Sequence, residues 1–341
     1  MLLLAIETSC DDTATAVVRD GVRVLANVST NQDEFHAKYG GIVPEIASRR
    51  HAALLSAAVD DALSRAGVGL TAIDGIAVTS GPGLIGSLVV GVATAKALAF
   101  ATGLPLYAVN HLHGHLFAAF LERDEPPPYP FLALLVSGGH SQLVEVRSPA
   151  SLHIIGKTRD DAAGEAFDKT ARLLGLPFPG GPALDALARD GDPAAIAFPR
   201  HRPDPGTLDM SFSGLKTSVR YYLESDAGKT ARREDVAASF QAAVVDVLID
   251  RVRRALDAPR ADVAGQNEYR ALVLSGGVAA NSALQAAFVA LGAQRNIPTL
   301  VPERRFCTDN AAMIAAAAER RGELSRVDPL TLVADPNLPF S

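Results

Sequence analysis

The same pattern occurs twice in this chain, and that repeat limits the folds open to it. Leu2 to Val18 reads as strand, polar turn (Glu7-Thr-Ser-Cys-Asp-Asp12), strand, and Phe131 to Val146 repeats it around the turn Ser137-Gly-Gly-His-Ser141. Each half then carries a later strand, a small-residue turn and a helix. In the first half these are Ile76 to Gly83, then Leu84 to Phe100; in the second, Leu272 to Gly277, then Val278 to Leu291. Apolar β-branched runs that stop at Gly turns and lead into Ala-rich helices are the signature of strand–turn–helix units. The pattern predicts an α/β protein of two similar halves facing each other across a central cleft, with Gly turns delivering backbone amides into it.

At 341 residues the chain exceeds one ordinary core. The Pro-rich stretch 123–130 falls just before the second half. The expected division is a first domain over 1–125 and a second over 126–341, with the last helix packing back on the first. A second Pro-rich stretch, 199–207, reads as a loop. The two halves differ in length. Ser9 and Ser80 lie 71 residues apart and Ser137 and Ser275 lie 138 apart, so the second half holds an insertion of roughly 67 residues within 147–270.

The most informative local feature is Asn110-His-Leu-His-Gly-His115. His111 and His115 are four apart, so on a helix both imidazoles leave the same face and form half of a transition-metal site. Zinc peptidases share that spacing but place a general-base Glu after the first His. Leu112 stands there instead. The bland alternative is two surface histidines. His113, two positions on, should point away from the pair and lie at the surface.

Other motifs suit a nucleotide. The turns Val136-Ser-Gly-Gly-His-Ser141 and Ser275-Gly-Gly-Val-Ala-Ala-Asn281 let backbone amides approach an anion, the second at a helix N-terminus. Asn281 either reaches a ribose or base edge or packs on its helix. Gly164 to Arg172 puts Glu165, Asp168 and Arg172 on one helix face, for which an intrahelical salt bridge is the plainer reading. Phe178-Pro-Gly-Gly-Pro182 reads as an irregular loop before a helix bearing Asp185. Ser211 to Lys216 reads as a polar loop whose Lys can meet a phosphate. In Cys307-Thr-Asp-Asn310, Thr308 or Asp309 is the natural helix N-cap, and Asp309 is also a carboxylate able to complete a two-His site.

The net charge of −6 argues against a surface that attracts nucleic acid as a whole, so a polyanion needs a local patch. Arg49, Arg50, Lys216, Arg220, Arg232 and Arg233 are cationic but scattered. Cys10 and Cys307 are too few for a disulfide framework, which suits a reducing, cytoplasmic setting. The N-terminus lacks a signal-peptide pattern, and the apolar segment 88–101 is short for a bilayer and carries Lys96. The helix from Leu84 to Phe100 is equally a buried core helix or a dimerisation face.

Ten stretches, in order over almost the whole chain, resemble the tRNA threonylcarbamoyladenosine transferase family, bacterial branch, once labelled a glycoprotein endopeptidase. They are Glu7 to Thr13, Gly40 to Arg49, Ser80 to Ser87, His111 with His115, Leu135 to His140, Gly164 to Lys169, Phe178 to Pro182, Phe212 to Lys216, Ser275 to Asn281, and Cys307 to Ala312. The resemblance implies a duplicated actin-like ATPase fold. It implies one divalent metal per subunit, iron ahead of zinc, on His111, His115 and Asp309. It places a nucleotide-bearing substrate against Leu135, Val136, Ser137, Gly138, Gly139, Asp168, Gly181, Asp185 and Asn281.

The implied reaction moves threonylcarbamoyl from threonylcarbamoyl-AMP to the exocyclic amine of the adenosine beside the anticodon, in tRNAs reading codons that start with A, and releases AMP. A non-catalytic paralogous subunit and a small ATPase are the implied partners. Three departures stand out: Leu135 where some relatives place a Tyr ligand, the additional His113, and a tail from Ala334 to Ser341 without a Trp-Pro ending. No general base is singled out; Asp11, Asp12 and His140 are candidates by position. The rivals are a small-molecule kinase or ATPase of the same fold, a metallopeptidase, and a non-catalytic scaffold.

Overall fold

The computed structural model describes residues 1–39, 41–202, 206–258 and 268–340. Gly40 of the Gly40–Arg49 stretch, positions 203–205 of the second Pro-rich stretch, positions 259–267 of the inserted region and Ser341 of the tail lie outside the described residues. In chain order the elements are β1 (Leu2–Glu7), β2 (Thr13–Arg19), β3 (Arg23–Thr30), α1 (Asp33–Ala37), α2 (Pro44–Ala66), β4 (Gly75–Gly81), α3 (Ile85–Thr102), β5 (Leu106–Asn110) and α4 (His111–Phe117). There follow β6 (Phe131–Val136), β7 (Ser141–Ser148), β8 (Ser151–Lys157), α5 (Ala163–Leu173), α6 (Gly180–Ala188), α7 (Ser213–Glu224), α8 (Asp226–Thr230) and α9 (Arg233–Asp257). The chain ends with β9 (Ala271–Ser275), α10 (Ser282–Arg295), β10 (Thr299–Leu300), α11 (Ala311–Arg321) and β11 (Arg326–Val327).

Two compact units result. The first comprises residues 1–127 together with the segment from Pro302 onward, and the second runs from Pro128 to Val301. The duplication is written in the sheets. The first unit orders its strands β11-β5-β4-β1-β2-β3, and the second β10-β9-β6-β7-β8. In each, three antiparallel strands form a meander, the next strand runs parallel to the first of them, and a further parallel strand follows. The extra material of the second half lies between β8 and β9, as helices α5 to α9.

In the first unit α2 buries Ala47, His51, Leu55, Ala58, Val59 and Ala62, one stripe at helical spacing, against β2 and β3. Pro44 opens this helix and Gly67, at φ 68°, closes it in the left-handed conformation that Gly tolerates. Its stripe meets Leu4, Ile6, Ile76, Val78, Val92 and Ala95 in one apolar core. Helix α3 is longer than the 88–101 segment read from sequence. By length and composition alone it is apolar enough to cross a membrane. It packs instead on α2 and β4, burying Ser87, Leu88, Gly91, Val92, Ala95 and Ala99, and Lys96 Nζ donates to the Leu332 carbonyl at 2.8 Å. Its opposite face leaves Ile85, Val89 and Phe100 exposed.

Three local readings change. Gly180, Gly181 and Pro182 are the first turn of α6 rather than loop, and Lys216 sits on α7 rather than in a loop. After Gly276, a 3-10 turn over Gly277–Ala280 intervenes, and α10 begins only after its own N-cap, Asn281.

Candidate metal centre and nucleotide-facing turns

Strand β5 ends at Asn110, whose side chain accepts the Leu112 amide at 2.9 Å and so starts α4 at once. His111 and His115 therefore leave α4 one turn apart, both buried. Helix α4 packs closely on α11 because position 114 is Gly. A Cβ there would come within 2.7 Å of Ile314 Cδ1 and 3.1 Å of Met313 Cγ. That close approach places Asp309, just before α11, beside the two rings. Asp309 Oδ1 lies 3.5 Å from His111 Nε2 and 3.2 Å from His115 Nε2, and one ligand atom from each residue falls within 4.8 Å of the others.

The N-cap of α11 is Asn310, which accepts the Met313 amide at 3.0 Å and donates to the Thr308 carbonyl at 2.8 Å. This corrects the choice of Thr308 or Asp309 as cap. With Asn310 holding the helix end, the Asp309 carboxylate turns toward the histidines.

His111 Nδ1 lies 3.0 Å from Glu7 Oε2 and 3.0 Å from Ser9 Oγ. A buried carboxylate behind Nδ1 holds a proton there, so Nε2 is the nitrogen that a metal would take in exchange for a proton, the arrangement found behind metal-bound imidazoles. Glu7 also accepts the Ser9 amide and the Thr79 hydroxyl. His115 differs: both of its ring nitrogens are buried without a hydrogen-bond partner, and the 3.2 Å approach of Asp309 lacks hydrogen-bond geometry. A buried, unsatisfied imidazole nitrogen is costly unless something electrophilic meets it. Two nitrogens and a partly exposed carboxylate oxygen fit a divalent transition metal with positions left open.

Charge points the same way. Burial disfavours the charged form of His111, but Asp309 and Glu7 outweigh it and push the imidazole up to about 9. Burial, then Asp309 and Asp11, push the Asp12 carboxyl up to about 8, and burial raises Asp11 as well. Carboxylates that strain one another's ionisation around a histidine pair are relieved by a cation. His51 anchors the intervening turn, bonding Thr13 Oγ1 at 2.8 Å and the Cys10 carbonyl at 3.0 Å.

His113 is not at the surface. It is buried, its Nε2 donates to the Phe340 carbonyl at 2.7 Å, and its ring meets Phe340 edge-on at 4.9 Å. Burial, reinforced by Arg321, pulls its pKa down to about 4, so it stays neutral. The tail is accordingly docked without a Trp-Pro ending. Asn110 Nδ2 donates to the Pro339 carbonyl, the Asp335 amide to the Ser80 carbonyl, and the Gly83 amide to the Pro336 carbonyl.

The second unit holds the residues expected to face a nucleotide. Leu135 and Val136 are fully buried in β6, and the following turn exposes Gly138 and Gly139, where an added Cβ would meet open space. Two other glycines bring neighbouring segments against this turn. Gly276, at φ 89°, would thrust a Cβ to 2.3 Å from the Val136 carbonyl, and Gly164 to 2.5 Å from the Ser137 carbonyl. Asp168 Oδ1 accepts the Gly180 and Gly181 amides at 2.9 and 3.1 Å, fixing the start of α6. Asp185 accepts Ser282 Oγ at 2.7 Å and pairs with Arg189. Asn281 caps α10 through Leu284 and donates to Gln241 Oε1 at 2.7 Å, the packing alternative of its two readings. Lys216 pairs with Asp161 at 2.6 Å. The intrahelical pair on α5 is Lys169 with Glu165.

Sequence reasoning missed Glu7 as a supporting residue. Its signal was present: an acid ending an all-apolar strand is buried with the strand and needs a partner.

Known proteins are similar to this chain over nearly its whole length. The family described as tRNA N6-adenosine threonylcarbamoyltransferase matches residues 23–316. The protein of that name from Moorella thermoacetica is 50% identical over 341 residues, 99% of this chain and 97% of the other. That from Geobacter sp. strain M21 is 51% identical over 320 residues, 94% and 91% of the two chains. Full-length HypF in its phosphate- and nucleotide-bound form aligns over 95% of this chain and 46% of its own, with TM-score 0.60 and 13% identity. The activator of the 2-hydroxyisocaproyl-CoA dehydratase from Clostridium difficile aligns over 94% of each chain, with TM-score 0.52 and 13% identity. At such identities these structures speak to the fold alone, the actin-like ATPase fold with its duplicated sheets. With half its residues shared over nearly its whole length, the chain belongs to the tRNA N6-adenosine threonylcarbamoyltransferase family.

Proposed function

We propose that this chain transfers the threonylcarbamoyl group from threonylcarbamoyl-AMP to the exocyclic amine of the adenosine beside the anticodon, in tRNAs reading codons that start with A, releasing AMP. The observation that carries the reading is the convergence of His111, His115 and Asp309 in a chain of this family. Two histidines and one carboxylate with open positions suit iron, with zinc the alternative. Bound there, such an ion supplies Lewis acidity and a template for the threonylcarbamoyl-phosphate end.

The chain's own residues do the rest. The leaving group is good and an aromatic amine is a weak nucleophile, so positioning is the main task. Glu7 holds His111 in the ligating tautomer. In our reading the exposed amides of the Ser137–Gly139 turn meet the departing phosphate, where donors aimed at developing charge act most strongly. Leu135 and Val136 support that turn from β6. Asp168 fixes Gly181 at the start of α6, and Asp185 and Asn281 hold the start of α10, together forming the adenosine subsite. Asp11, Asp12 and His140 are the candidates for taking up the amine proton. We place the reaction in the cytoplasm and assign it two protein partners, a non-catalytic paralogous subunit and a small ATPase.

The test is single-turnover transfer from labelled threonylcarbamoyl-adenylate to unmodified tRNA, with and without those partners. Wild type should label the tRNA, while His111→Ala and Asp309→Ala should not. Absence of transfer in every mixture, with metal and nucleotide bound, would move the reading to a kinase of the same fold.

A further inference from the structure

The buried stripe of α2 is apolar except for His51. Packing alone does not call for a histidine there. A buried imidazole destabilises unless its nitrogens find partners, and an apolar side chain of similar size avoids that penalty. His51 is fully buried and both partners are supplied: Thr13 Oγ1 lies 2.8 Å from Nδ1 and the Cys10 carbonyl 3.0 Å from Nε2. A carbonyl only accepts, so Nε2 carries the proton. Burial outweighs the nearby Glu7 and Asp11 carboxylates and lowers the His51 pKa, so the ring is neutral and Nδ1 accepts the Thr13 hydroxyl. The side chain is thus a rigid strut, in one tautomer, between α2 and the turn that joins β1 to β2.

That turn, residues 8–12, is fastened from two sides. Its first half is tied to α3 and the residue before it. Thr8 Oγ1 donates to the Ser87 carbonyl at 2.9 Å, and the Leu84 amide to the Ser9 carbonyl at 2.7 Å. Gly91 permits this approach, since a Cβ there would come within 2.3 Å of Thr8 Oγ1. The second half meets α2 through His51. One imidazole grips the chain at Cys10, just before Asp11, and at Thr13, just after Asp12. Asp11 and Asp12 are partly exposed, and Asp309 acts on both carboxyls, which puts them within electrostatic reach of the candidate metal centre.

We infer that His51 is a positioning residue for the transfer: by holding Cys10 and Thr13 it fixes the two residues between them, Asp11 and Asp12, against the reacting amine. The inference deepens the proposed function and rests on it. In that reaction the amine nitrogen bonds to the carbamoyl carbon while the bond from that carbon to the phosphate oxygen breaks. AMP leaves with the electron pair, and the amine proton passes to one of the two carboxylates. A carboxylate displaced by about 1 Å loses its alignment with that proton, and such a displacement slows a reaction roughly 100-fold.

The experiment is single-turnover transfer from labelled threonylcarbamoyl-adenylate to unmodified tRNA by the metal-loaded full chain, with and without the two partner proteins. Wild type is compared with His51→Leu, which keeps bulk and loses both bonds, and with His51→Gln, whose amide offers a donor to the Cys10 carbonyl. His51→Leu with Thr13→Val also removes the stranded hydroxyl and guards against misfolding. Val59→Ala, a cavity farther along the same stripe, reports what lost stability does alone. In His51→Leu the rate at saturating adenylate should fall roughly 100-fold, with the half-saturating concentration and the metal content unchanged. The double variant should be as slow. His51→Gln should recover to within about tenfold of wild type. Val59→Ala should stay within about twofold despite a lower thermal midpoint.

Wild-type rates in His51→Leu and the double variant overturn the inference, and the function then stands without it. Metal lost in step with the rate also overturns it, because the effect would then run through the metal ligands. So does equal slowing in Val59→Ala, which would make the effect one of general stability, and so does a His51→Gln as slow as His51→Leu. If wild type fails to transfer in any mixture, the function falls and the inference falls with it.

Discussion

At the scale of single residues, Glu7 connects the strand architecture to the candidate metal centre. It is fully buried at the end of β1, and its carboxylate is held below the usual range because His111 and Thr79 outweigh the penalty of burial. Removing its charge while keeping its shape, Glu7→Gln, takes away the group that fixes the His111 tautomer. Metal affinity should fall by about 10- to 100-fold, the usual loss for an outer partner of a ligating histidine, with the fold retained. Competition with a chromophoric chelator measures this, and unchanged affinity would make Glu7 a structural acid only. The candidate ligands were nameable from sequence: a pair of histidines four apart and an Asp ahead of an Ala-rich helix left the bland readings open, and the family resemblance joined the three residues, whose ligand atoms the fold brings within 4.8 Å of one another. The burial of His113 was not readable, because it depends on the tail, 227 residues away. Asn310 as the cap was missed although its partners Phe306, Thr308 and Met313 are all local, because Thr308 and Asp309 are equally able caps by residue type.

At the scale of elements, β1, β2, β4, β6, β7 and β9 and the repeat were readable because apolar periodicity and Gly turns are local signals, whereas the two sheet orders are set by pairing between segments distant in sequence. Helix starts were read less well. Pro182 and the glycines before it look like loop residues, yet they open α6 because Asp168, twelve residues earlier, satisfies the first amides. The tail was the least legible element, having no periodicity. It lies against the loop after β4 because Gly81 has no side chain; a Cβ there would sit 1.9 Å from the Asp335 carbonyl. Deleting residues 334–341 should leave both sheets intact and loosen what the tail touches. Amide exchange should accelerate by at least about tenfold over 80–83 and 110–115, the local opening expected when docking contacts are lost. Unaltered exchange in those segments would mean that the tail merely rests on a surface already rigid.

At the scale of the whole molecule, the candidate metal ligands come from two distant parts of one compact unit, α4 and the segment returning before α11. Their convergence depends on the return of the C-terminal segment, so an ion bound to all three residues favours only the folded form of that unit. By linkage, metal at a hundred times its dissociation constant stabilises by about 2.7 kcal/mol. For a unit of this size that corresponds to a rise of roughly 5–10 °C in its unfolding midpoint. Calorimetry with iron(II) under anaerobic conditions, with zinc, and with chelator should show that rise in wild type and lose most of it in Asp309→Ala. The second unit contributes none of the three ligands, so a transition belonging to it should not respond to the ion directly. The variant also separates site from surface: an ion held by scattered acids would stabilise Asp309→Ala as much as wild type. That result would break the connection between the two-His, one-Asp geometry and the bound ion, while a rise confined to wild type would tie the unit's stability to the candidate metal centre.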